Sequence, residues 1–201
     1  LLEREISDVG DEYGLTKKLL RDDFIFNNYN FSVIDTPGLR RKSKVKNINE
    51  EKRNKEVIRL IKNVEVVVLL IDSIENVTKQ DLRLADISIN KKKILFFIFN
   101  KIDIVQDSNK FKRKIKNYFK NNYSKYNMIN IEFISAKKKM RIKRVLNQII
   151  LKSKLTKKKL NKSQLNKFLI YLNKKGKYPK INSREIKPKY IVQSKSSIPE
   201  F

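Results

Sequence analysis

Residues 93–103 read KILFFIFNKID, an apolar run that ends in the polar residues Asn100, Lys101 and Asp103. Such a nearly continuous apolar run is typical of a strand covered on both faces of a parallel sheet. From residue 22 to about 150, similar runs alternate with longer lysine-rich amphipathic segments. This alternation predicts βα units around a mostly parallel sheet, and therefore an α/β fold.

The predicted elements follow from the two periodicities of apolar residues. The predicted strands are Phe24–Asn27, Phe31–Asp35, Val64–Asp72, Lys93–Phe99 and Ile129–Ile134. Helices are predicted where apolar residues recur three or four apart, over Glu50–Lys62, Lys79–Ile89, Asn109–Asn121 and Met140–Lys152. The apolar stripes of these helices are expected to pack on the sheet.

The last fifty residues differ from this pattern. A lysine-dense stretch, Lys152–Lys162, is expected to be a linker. Beyond it, Ser163 is the predicted N-cap of a helix that runs to about Lys174 and ends before Gly176, and Glu185–Val192 is predicted as a strand. Because one helix and one strand cannot close a core alone, this tail is expected either to pack on the first domain or to be cut short.

Composition excludes several kinds of chemistry. The chain has 201 residues with no cysteine and no histidine, which excludes disulfides, thiol nucleophiles and thiolate or imidazole metal sites. Any metal must therefore have oxygen ligands. No apolar run is long enough to cross a membrane, so a soluble protein is expected.

The net charge of +27, from 48 basic and 21 acidic residues, is compatible with two explanations. An excess of this size attracts polyanions, and nucleic acid is the first partner to consider. Lysine, asparagine and isoleucine are also abundant throughout, as expected for a gene rich in A and T. Composition alone leaves both explanations open.

Asp35-Thr36-Pro37-Gly38 follows the second predicted strand. The carboxyl edge of an open α/β sheet is where such folds bind ligands. An aspartate there can hold Mg²⁺, usually through water, and a glycine three residues later lets a backbone N–H approach a terminal phosphate. Asp followed by Pro-Gly is also an ordinary turn, so the motif alone is weak.

Two further polar segments end predicted strands. In Asn100-Lys101-Ile102-Asp103, the Asp103 carboxylate can accept both N1–H and the exocyclic amino group of guanine, a donor pair that adenine lacks. Asn100 would brace the loop, and the stem of Lys101 could cover the base. In Ser135-Ala136-Lys137, the small side chains of the first two residues allow backbone N–H groups to reach a guanine carbonyl oxygen. One nucleotide could contact all three segments.

In this order the three segments resemble the third, fourth and fifth motifs of translation-factor-class GTPases. The sequence segments around them resemble those of the Der family, also called EngA. Val33–Val45 is similar to the switch segment of that family's second G domain, and Thr78–Leu82 to the start of its third helix. Ser163–Asn166, Lys189–Gln193 and Ile198–Phe201 resemble the opening of its C-terminal KH-like domain.

The resemblance implies a P-loop-NTPase-like sheet flanked by helices, followed by a partial α+β KH-like domain. The implied domains are a G domain over residues 1–153 and a linker with the KH-like region over residues 154–201. The implied activity is GTP hydrolysis in a factor that matures the large ribosomal subunit and contacts rRNA. The implied cofactors are GTP or GDP with Mg²⁺, together with K⁺.

The resemblance also assigns roles to individual residues. Thr16 and Asp35 would lie at Mg²⁺, and Thr16 and Gly38 would act in catalysis, with Gly38 at the γ-phosphate. The implied nucleotide-binding residues are Asp35, Thr36, Pro37, Gly38, Asn100, Lys101, Asp103, Ser135, Ala136 and Lys137.

The chain departs from the family pattern at several places. It contains no Gly-x-x-x-x-Gly-Lys-[Ser/Thr] loop, which normally provides much of the phosphate affinity. The first strand and this loop are expected to precede Leu1, so the chain is expected to be a fragment that binds GTP weakly. Leu39 stands where Ras-like enzymes place a glutamine, and Lys139 replaces a glycine usual in the Ser-Ala loop.

Basic residues beside the switch form a candidate RNA-binding cluster, Arg40, Arg41, Lys42 and Lys44, whose order could depend on the nucleotide. Two rival functions stay open. An Era- or MnmE-type GTPase shares the same short motifs. A basic RNA-binding remnant that ignores nucleotide is the alternative outside the enzymes.

Overall fold

The computed structural model describes residues 20–36, 57–75, 77–176, 178–182, 184–194 and 199–200. The chain divides into two compact units between Leu151 and Lys152. Their assignment to a G domain over residues 1–153 and a KH-like region over residues 154–201 stays a prediction. Thr16, Pro37, Gly38 and the basic cluster Arg40, Arg41, Lys42 and Lys44 lie outside the described residues.

The first described elements form a β-hairpin. Strands β1 (Leu20–Phe26) and β2 (Tyr29–Asp35) pair in antiparallel fashion. Asn27 and Asn28 form the turn with φ of 48° and 62°, the left-handed geometry that two-residue hairpin turns require. Both predicted strands in this region exist, and β1 begins four residues before its predicted start. A two-residue turn can join only antiparallel strands, so this pair is an exception to the parallel arrangement.

The remaining strands of the first unit form a parallel sheet. Its strands are β3 (Val66–Asp72), β4 (Ile94–Asn100) and β5 (Ile129–Phe133), in the order β3-β4-β5. Asp72 lies opposite Asn100, and Phe99 lies opposite Phe133. All three strands therefore end at one edge of the sheet, and the predicted α/β fold with parallel strands is confirmed.

Four helices accompany these strands, and they match the predicted ones in kind and order. They are α1 over residues 57–63, α2 (Lys79–Asn90), α3 (Ser108–Asn122) and α4 (Ile142–Lys157). A capping box starts α2, in which the Asp81 N–H donates to the Thr78 hydroxyl at 3.2 Å and the Thr78 N–H donates to the Asp81 carboxylate at 2.9 Å.

The core lies on both faces of β4, whose residues 94–99 are all buried. Leu95, Phe97 and Phe99 face α2 and α3 in one apolar cluster. The alternate residues Ile94, Phe96 and Ile98 face Val145 of α4 in the other. Helices therefore cover both faces, which explains why the β4 sequence shows no polar alternation.

The second unit departs from the predictions at the linker and at the N-cap of its helix. Helix α4 continues to Lys157, so the predicted linker Lys152–Lys162 is partly helical. The helix can continue there because the segment contains no glycine or proline and is rich in good helix formers. Helix α5 spans Lys162–Lys175, and Asn161 caps it instead of Ser163. The Asn161 side chain accepts from the Gln164 N–H at 2.9 Å, and Gln164 accepts from the Asn161 N–H at 3.0 Å, a reciprocal pair.

The predicted strand Glu185–Val192 is wrong in length. Only β7 (Arg184–Glu185) pairs, with β6 (Lys180–Ile181), in a short antiparallel ladder. Pro188 explains the early end, because proline has no N–H to donate to a ladder. The predicted helix stop at Gly176 is confirmed, since Gly176 is the C-cap of α5. Among the described residues, every helix is too short or too polar to span a bilayer.

Candidate nucleotide-binding site

The loops that follow β3, β4 and β5 are joined by backbone hydrogen bonds at the carboxyl edge of the parallel sheet. The Ser73 N–H donates to the Asn100 carbonyl at 2.9 Å. The Ile134 N–H donates to the Phe99 carbonyl at 2.8 Å, and the Ile102 N–H donates to the Ile134 carbonyl at 3.0 Å. Because the loops share these bonds with buried strands, their positions depend on the core beneath them.

Asn100 connects the two loops that the sequence assigned to guanine. Its side-chain oxygen Oδ1 accepts from the N–H of Lys101 at 2.8 Å and from the N–H of Ala136 at 2.9 Å. The bracing role predicted for Asn100 therefore extends beyond its own loop to the loop after β5. An aliphatic side chain at this position would leave two N–H groups without their acceptor.

Asp103 carries the carboxylate expected to select guanine. Its side chain is only 9% exposed, and Lys138 Nζ lies 3.9 Å from Oδ2. The hydrogen bond from the Ser135 hydroxyl has the largest effect on the pKa of Asp103 and lowers it, while burial opposes this effect. A bond from the Asp103 backbone N–H and the charges of Lys138 and Lys137 help to hold the pKa below its usual value. The carboxylate is therefore ionised at neutral pH and can accept two hydrogen bonds.

Lys101 is held over the same edge by an ion pair. Its Nζ lies 2.7 Å from Oδ2 of Asp72, the last residue of β3. The hydrogen bond and charge of Asp72 raise the pKa of Lys101. The other oxygen of Asp72 accepts from the Ile74 N–H at 3.0 Å, which fixes the carboxylate. Lys101 itself has a φ of 61°, a conformation that is uncommon for a residue with a side chain.

The Ser135 loop is a closed turn. Ser135 and Met140 form an isolated antiparallel bridge, with N–H to carbonyl distances of 3.3 and 2.9 Å. The buried Ser135 hydroxyl accepts from the Lys138 N–H at 3.1 Å. Ala136 and Lys137 are exposed at the tip. The loop after β5 is therefore rigid at its base and presents small groups at its tip.

Lys139 occupies a position in this loop that favours glycine, because its φ is 51°. We expect Lys139→Gly to raise the free energy of unfolding by about 0.5–1 kcal/mol, since a left-handed conformation costs about 1–2 kcal/mol with a side chain and glycine loses part of that gain in chain entropy. Urea unfolding followed by far-UV circular dichroism measures the change. Lys138→Gly is the matched control and should lower stability, because Lys138 lies outside the left-handed region. Equal effects at both positions would contradict the strain argument.

Asp35 and Thr36 stand apart from these loops in the described contacts. Asp35 is the last residue of β2 and is exposed, within a two-stranded sheet separate from β3-β4-β5. The predicted partners Thr16, Pro37 and Gly38 fall outside the described ranges. The structure therefore brings together the six residues that the sequence assigned to guanine, and the guanine, phosphate and metal roles all stay predictions.

Among the described residues, the available oxygen donors are compatible with Mg²⁺. In the described part of the chain, no three acidic residues cluster to form a metal site. Mg²⁺ usually keeps several waters and takes one or two carboxylates together with substrate phosphates. The exposed carboxylate of Asp35 at the end of a strand fits that pattern as a single protein ligand.

Comparison with known proteins identifies the fold of this unit. The model of the elongation factor Tu GTP binding domain matches residues 6–154, about three quarters of the chain. The chain belongs to the elongation factor Tu GTP-binding domain family. The matched range includes every loop of the site described above, and members of this family are GTP-binding domains.

Within this GTP-binding family, the chain is similar to GTPase Der along nearly its whole length, which confirms the predicted resemblance. Der of Rickettsia typhi is 30% identical over 195 residues, covering 96% of the chain and 44% of the relative. Der of Hyphomonas neptunium is 26% identical over 201 residues, covering 100% of the chain and 39% of the relative. The chain thus spans less than half the length of these relatives.

Solved structures of GTP-binding proteins share the fold of the family domain. A structure of Era, in complex with MgGDPNP and a segment of 16S ribosomal RNA, superposes with a TM-score of 0.62 at 19% identity, covering 73% of this chain and 48% of that one. A probable GTP-binding protein engB superposes with a TM-score of 0.51 at 19% identity, covering 68% of this chain and 82% of that one. At these identities the likeness establishes the fold alone.

Sequence reasoning about the GTP-binding domain did not single out Asp72. Its partner Lys101 follows β4 and Asp72 ends β3, so the pair depends on the register between neighbouring parallel strands. The available signal was that Val64–Asp72 ends in a carboxylate, as Phe31–Asp35 does. That signal indicates an edge position but does not identify the cation that the carboxylate contacts.

Proposed function

We propose that the protein containing this chain is a GTP-binding and GTP-hydrolysing switch that acts in maturation of the large ribosomal subunit. The reaction is hydrolysis of the β–γ phosphoanhydride bond of GTP by water. The chain contributes the loops proposed to recognise guanine and the residues proposed to contact Mg²⁺ and the γ-phosphate. Der, the relative matched along nearly the whole chain, is named a GTPase, which supports this assignment.

The arrangement of Asp103 carries the proposal. A sheltered, ionised carboxylate lies beside a loop that Asn100 ties to its own, at the shared edge of β4 and β5. A planar base entering this edge would meet an acceptor of two hydrogen bonds at Asp103 and the stem of Lys101 along its face. This donor and acceptor pattern favours guanine over adenine.

The remaining roles are part of the same proposal. Asp35 and Thr16 would hold Mg²⁺, which neutralises charge on the phosphates when bound, and Gly38 would place its N–H at the γ-phosphate. Thr36 and Pro37 would line the phosphates, and Ser135, Ala136 and Lys137 would enclose the guanine carbonyl. K⁺ would assist hydrolysis in place of the glutamine that Leu39 replaces.

Ribosomal RNA is the proposed macromolecular partner, and the bacterial cytoplasm the proposed location. The solved Era structure contains 16S ribosomal RNA, which supports an RNA partner for a protein of this fold. The net charge of +27 supports the same class of partner. Residues 154–201 are proposed to belong to a KH-like domain that contributes to this contact.

A nucleotide titration tests the guanine assignment. We expect GDP, but not ADP, to shift the backbone ¹H–¹⁵N signals of Lys101, Asp103, Ala136 and Lys137 in the 201-residue chain. No Gly-x-x-x-x-Gly-Lys-[Ser/Thr] segment is present in these residues, so GDP should bind with a dissociation constant above roughly 100 µM, about −5.5 kcal/mol or weaker. NMR shifts report binding in this weak range.

The outcomes separate the competing functions. Equal shifts with GDP and ADP would contradict guanine selection. Shifts confined to other residues would contradict the location of the site. An RNA affinity that ignores nucleotide, combined with no GDP response, would favour the basic RNA-binding remnant over the GTPase.

A further inference from the structure

The positive charge of the chain is unevenly distributed. Residues 108–201 contain 28 of the 48 basic residues but only 3 of the 21 acidic ones. Residues 1–107 contain the other 20 basic and 18 acidic residues, and are therefore nearly neutral. A uniform compositional bias toward lysine does not predict this division, because it would not remove the acidic residues from one half.

Helices α2 and α3 give an internal comparison within the first unit. Both pack on the same face of the sheet, in the cluster that includes Ala85 of α2 and Phe119 of α3. Helix α2 carries two basic and two acidic residues. Helix α3 carries six basic residues and no acidic one, Lys110, Lys112, Arg113, Lys114, Lys116 and Lys120. Neighbouring helices with the same packing role thus differ by six charges.

The cations of α3 lie opposite its packed side. Phe111, Ile115 and Phe119 recur every four residues and pack in the apolar cluster. Lys110, Arg113, Lys114, Lys116 and Lys120 are exposed. At 3.6 residues and 5.4 Å per turn, these five occupy about 160° of the helix circumference over about 15 Å. We call these five residues the α3 basic face.

Folding of the domain does not explain the α3 basic face. Within the described residues, none of its cations forms an ion pair with a carboxylate, whereas Lys125 just beyond the helix pairs with Asp86 at 2.9 Å. Burial, with the nearby charges of Arg141 and Lys116, lowers the pKa of Lys112 on the flank of the helix. Crowded like charges destabilise a helix, so a role in stability is disfavoured.

We propose that the α3 basic face binds the phosphate backbone of structured RNA. Five cations over about 15 Å of a rigid helix approach the density of phosphates along a nucleic-acid strand, about 3.4 Å per charge in B-DNA. Such contacts position RNA without reading its sequence. The proposal deepens the function proposed above by assigning part of the RNA contact to the GTP-binding domain.

An anionic membrane is the other polyanion to consider. A helix that lies on a membrane inserts an apolar face into the headgroup region. The apolar face of α3 is already packed on the sheet, through Phe111, Ile115 and Phe119. Tyr118 is its one exposed large apolar side chain. The chemistry of α3 therefore favours RNA.

A charge-neutralising triple variant tests the surface. We expect R113Q/K116Q/K120Q in the full chain to weaken binding of a fluorescein-labelled 20-base-pair RNA hairpin by about 10-fold or more at 150 mM KCl, as measured by anisotropy. The slope of log K against log[KCl] should fall by about 2–3, because each lost phosphate contact removes about 0.7–0.9. Glutamine is a good helix former, so α3 should stay folded, and circular dichroism checks this.

The matched control removes the same charge from α2 and its C-cap. K79Q/R83Q/K91Q changes three exposed cations, and we expect it to weaken binding less than about 2-fold with an unchanged salt slope. Equal losses in both triple variants would overturn the proposal in favour of net charge alone. Binding to phosphatidylserine vesicles that depends on the α3 basic face, with RNA affinity unchanged, would overturn it in favour of a membrane.

This experiment can fail independently of the proposed function. If the wild-type chain binds the hairpin and the α3 variant binds it equally well, the α3 surface is wrong while an RNA partner stands. If the wild-type chain does not bind RNA at all, the proposed RNA partner fails with it. The GDP response of the α3 variant should equal that of the wild type, because the three residues lie outside the guanine loops.

Discussion

Asp103→Asn should remove the NMR response to GDP and create a response to xanthosine diphosphate. In the proposed site the carboxylate would accept from N1–H and the amino group of guanine, whereas an amide presents one acceptor and one donor. Xanthine carries N1–H and a carbonyl oxygen in place of the amino group, so its edge matches an amide. Mismatched buried hydrogen-bonding groups cost about 2–4 kcal/mol. The variant should therefore bind xanthosine diphosphate roughly 100-fold more tightly than GDP.

A matched acid-to-amide change separates this specificity effect from a general loss of charge. Asp23→Asn removes a carboxylate from the exposed hairpin, where Asp23 lies 3.8 Å from Arg21. It should leave the GDP and xanthosine diphosphate responses as in the wild type. Loss of GDP binding in Asp103→Asn without any gain for xanthosine diphosphate would mean that the loop had collapsed, and would remove the support for direct base recognition.

The positions of the strand ends explain how much of the candidate site could be predicted from the sequence. Asn100, Asp103 and Ser135 were predicted to lie at one edge of the sheet because each follows an apolar run, and the parallel register of the strands places them there. The Asp72–Lys101 pair was not found, because it depends on strand register. Short sequence motifs predict which residues lie at the carboxyl edge of the sheet. The register between neighbouring strands decides which of their side chains are in contact.

The errors in the tail have local physical causes. Asn161 and Ser163 are both good N-cap residues, and only the reciprocal bonds between Asn161 and Gln164 distinguish them. The apolar residues after Glu185 favoured a long strand, but Pro188 lies among them and cannot donate to a ladder. The continuous apolar run predicted β4 more reliably, because a strand that is buried on both faces has apolar residues at successive positions.

Of the substitutions proposed here, one that leaves a cavity in the core near the end of β4 should have the largest effect on the free energy of unfolding. Phe99 is fully buried, and its ring stacks on Phe133 at 5.4 Å with an interplanar angle of 25°. Phe99→Ala should lower the free energy of unfolding by about 3–5 kcal/mol, because it removes a buried aromatic ring and leaves a cavity. Urea unfolding monitored by circular dichroism measures the loss.

Two further variants show whether this loss reflects the cavity, and whether the site depends on it. Phe99→Leu retains much of the volume and should cost less than about 1.5 kcal/mol, and Ile104→Ala, at a residue 54% exposed, should cost less than about 1 kcal/mol. Because the Phe99 carbonyl accepts from the Ile134 N–H, a shift of Phe99 should also displace the Ser135 loop and weaken the GDP response. If Phe99→Ala destabilises the domain but leaves the GDP-induced shifts of Ala136 and Lys137 unchanged at low urea, the guanine loops do not take their position from this part of the core.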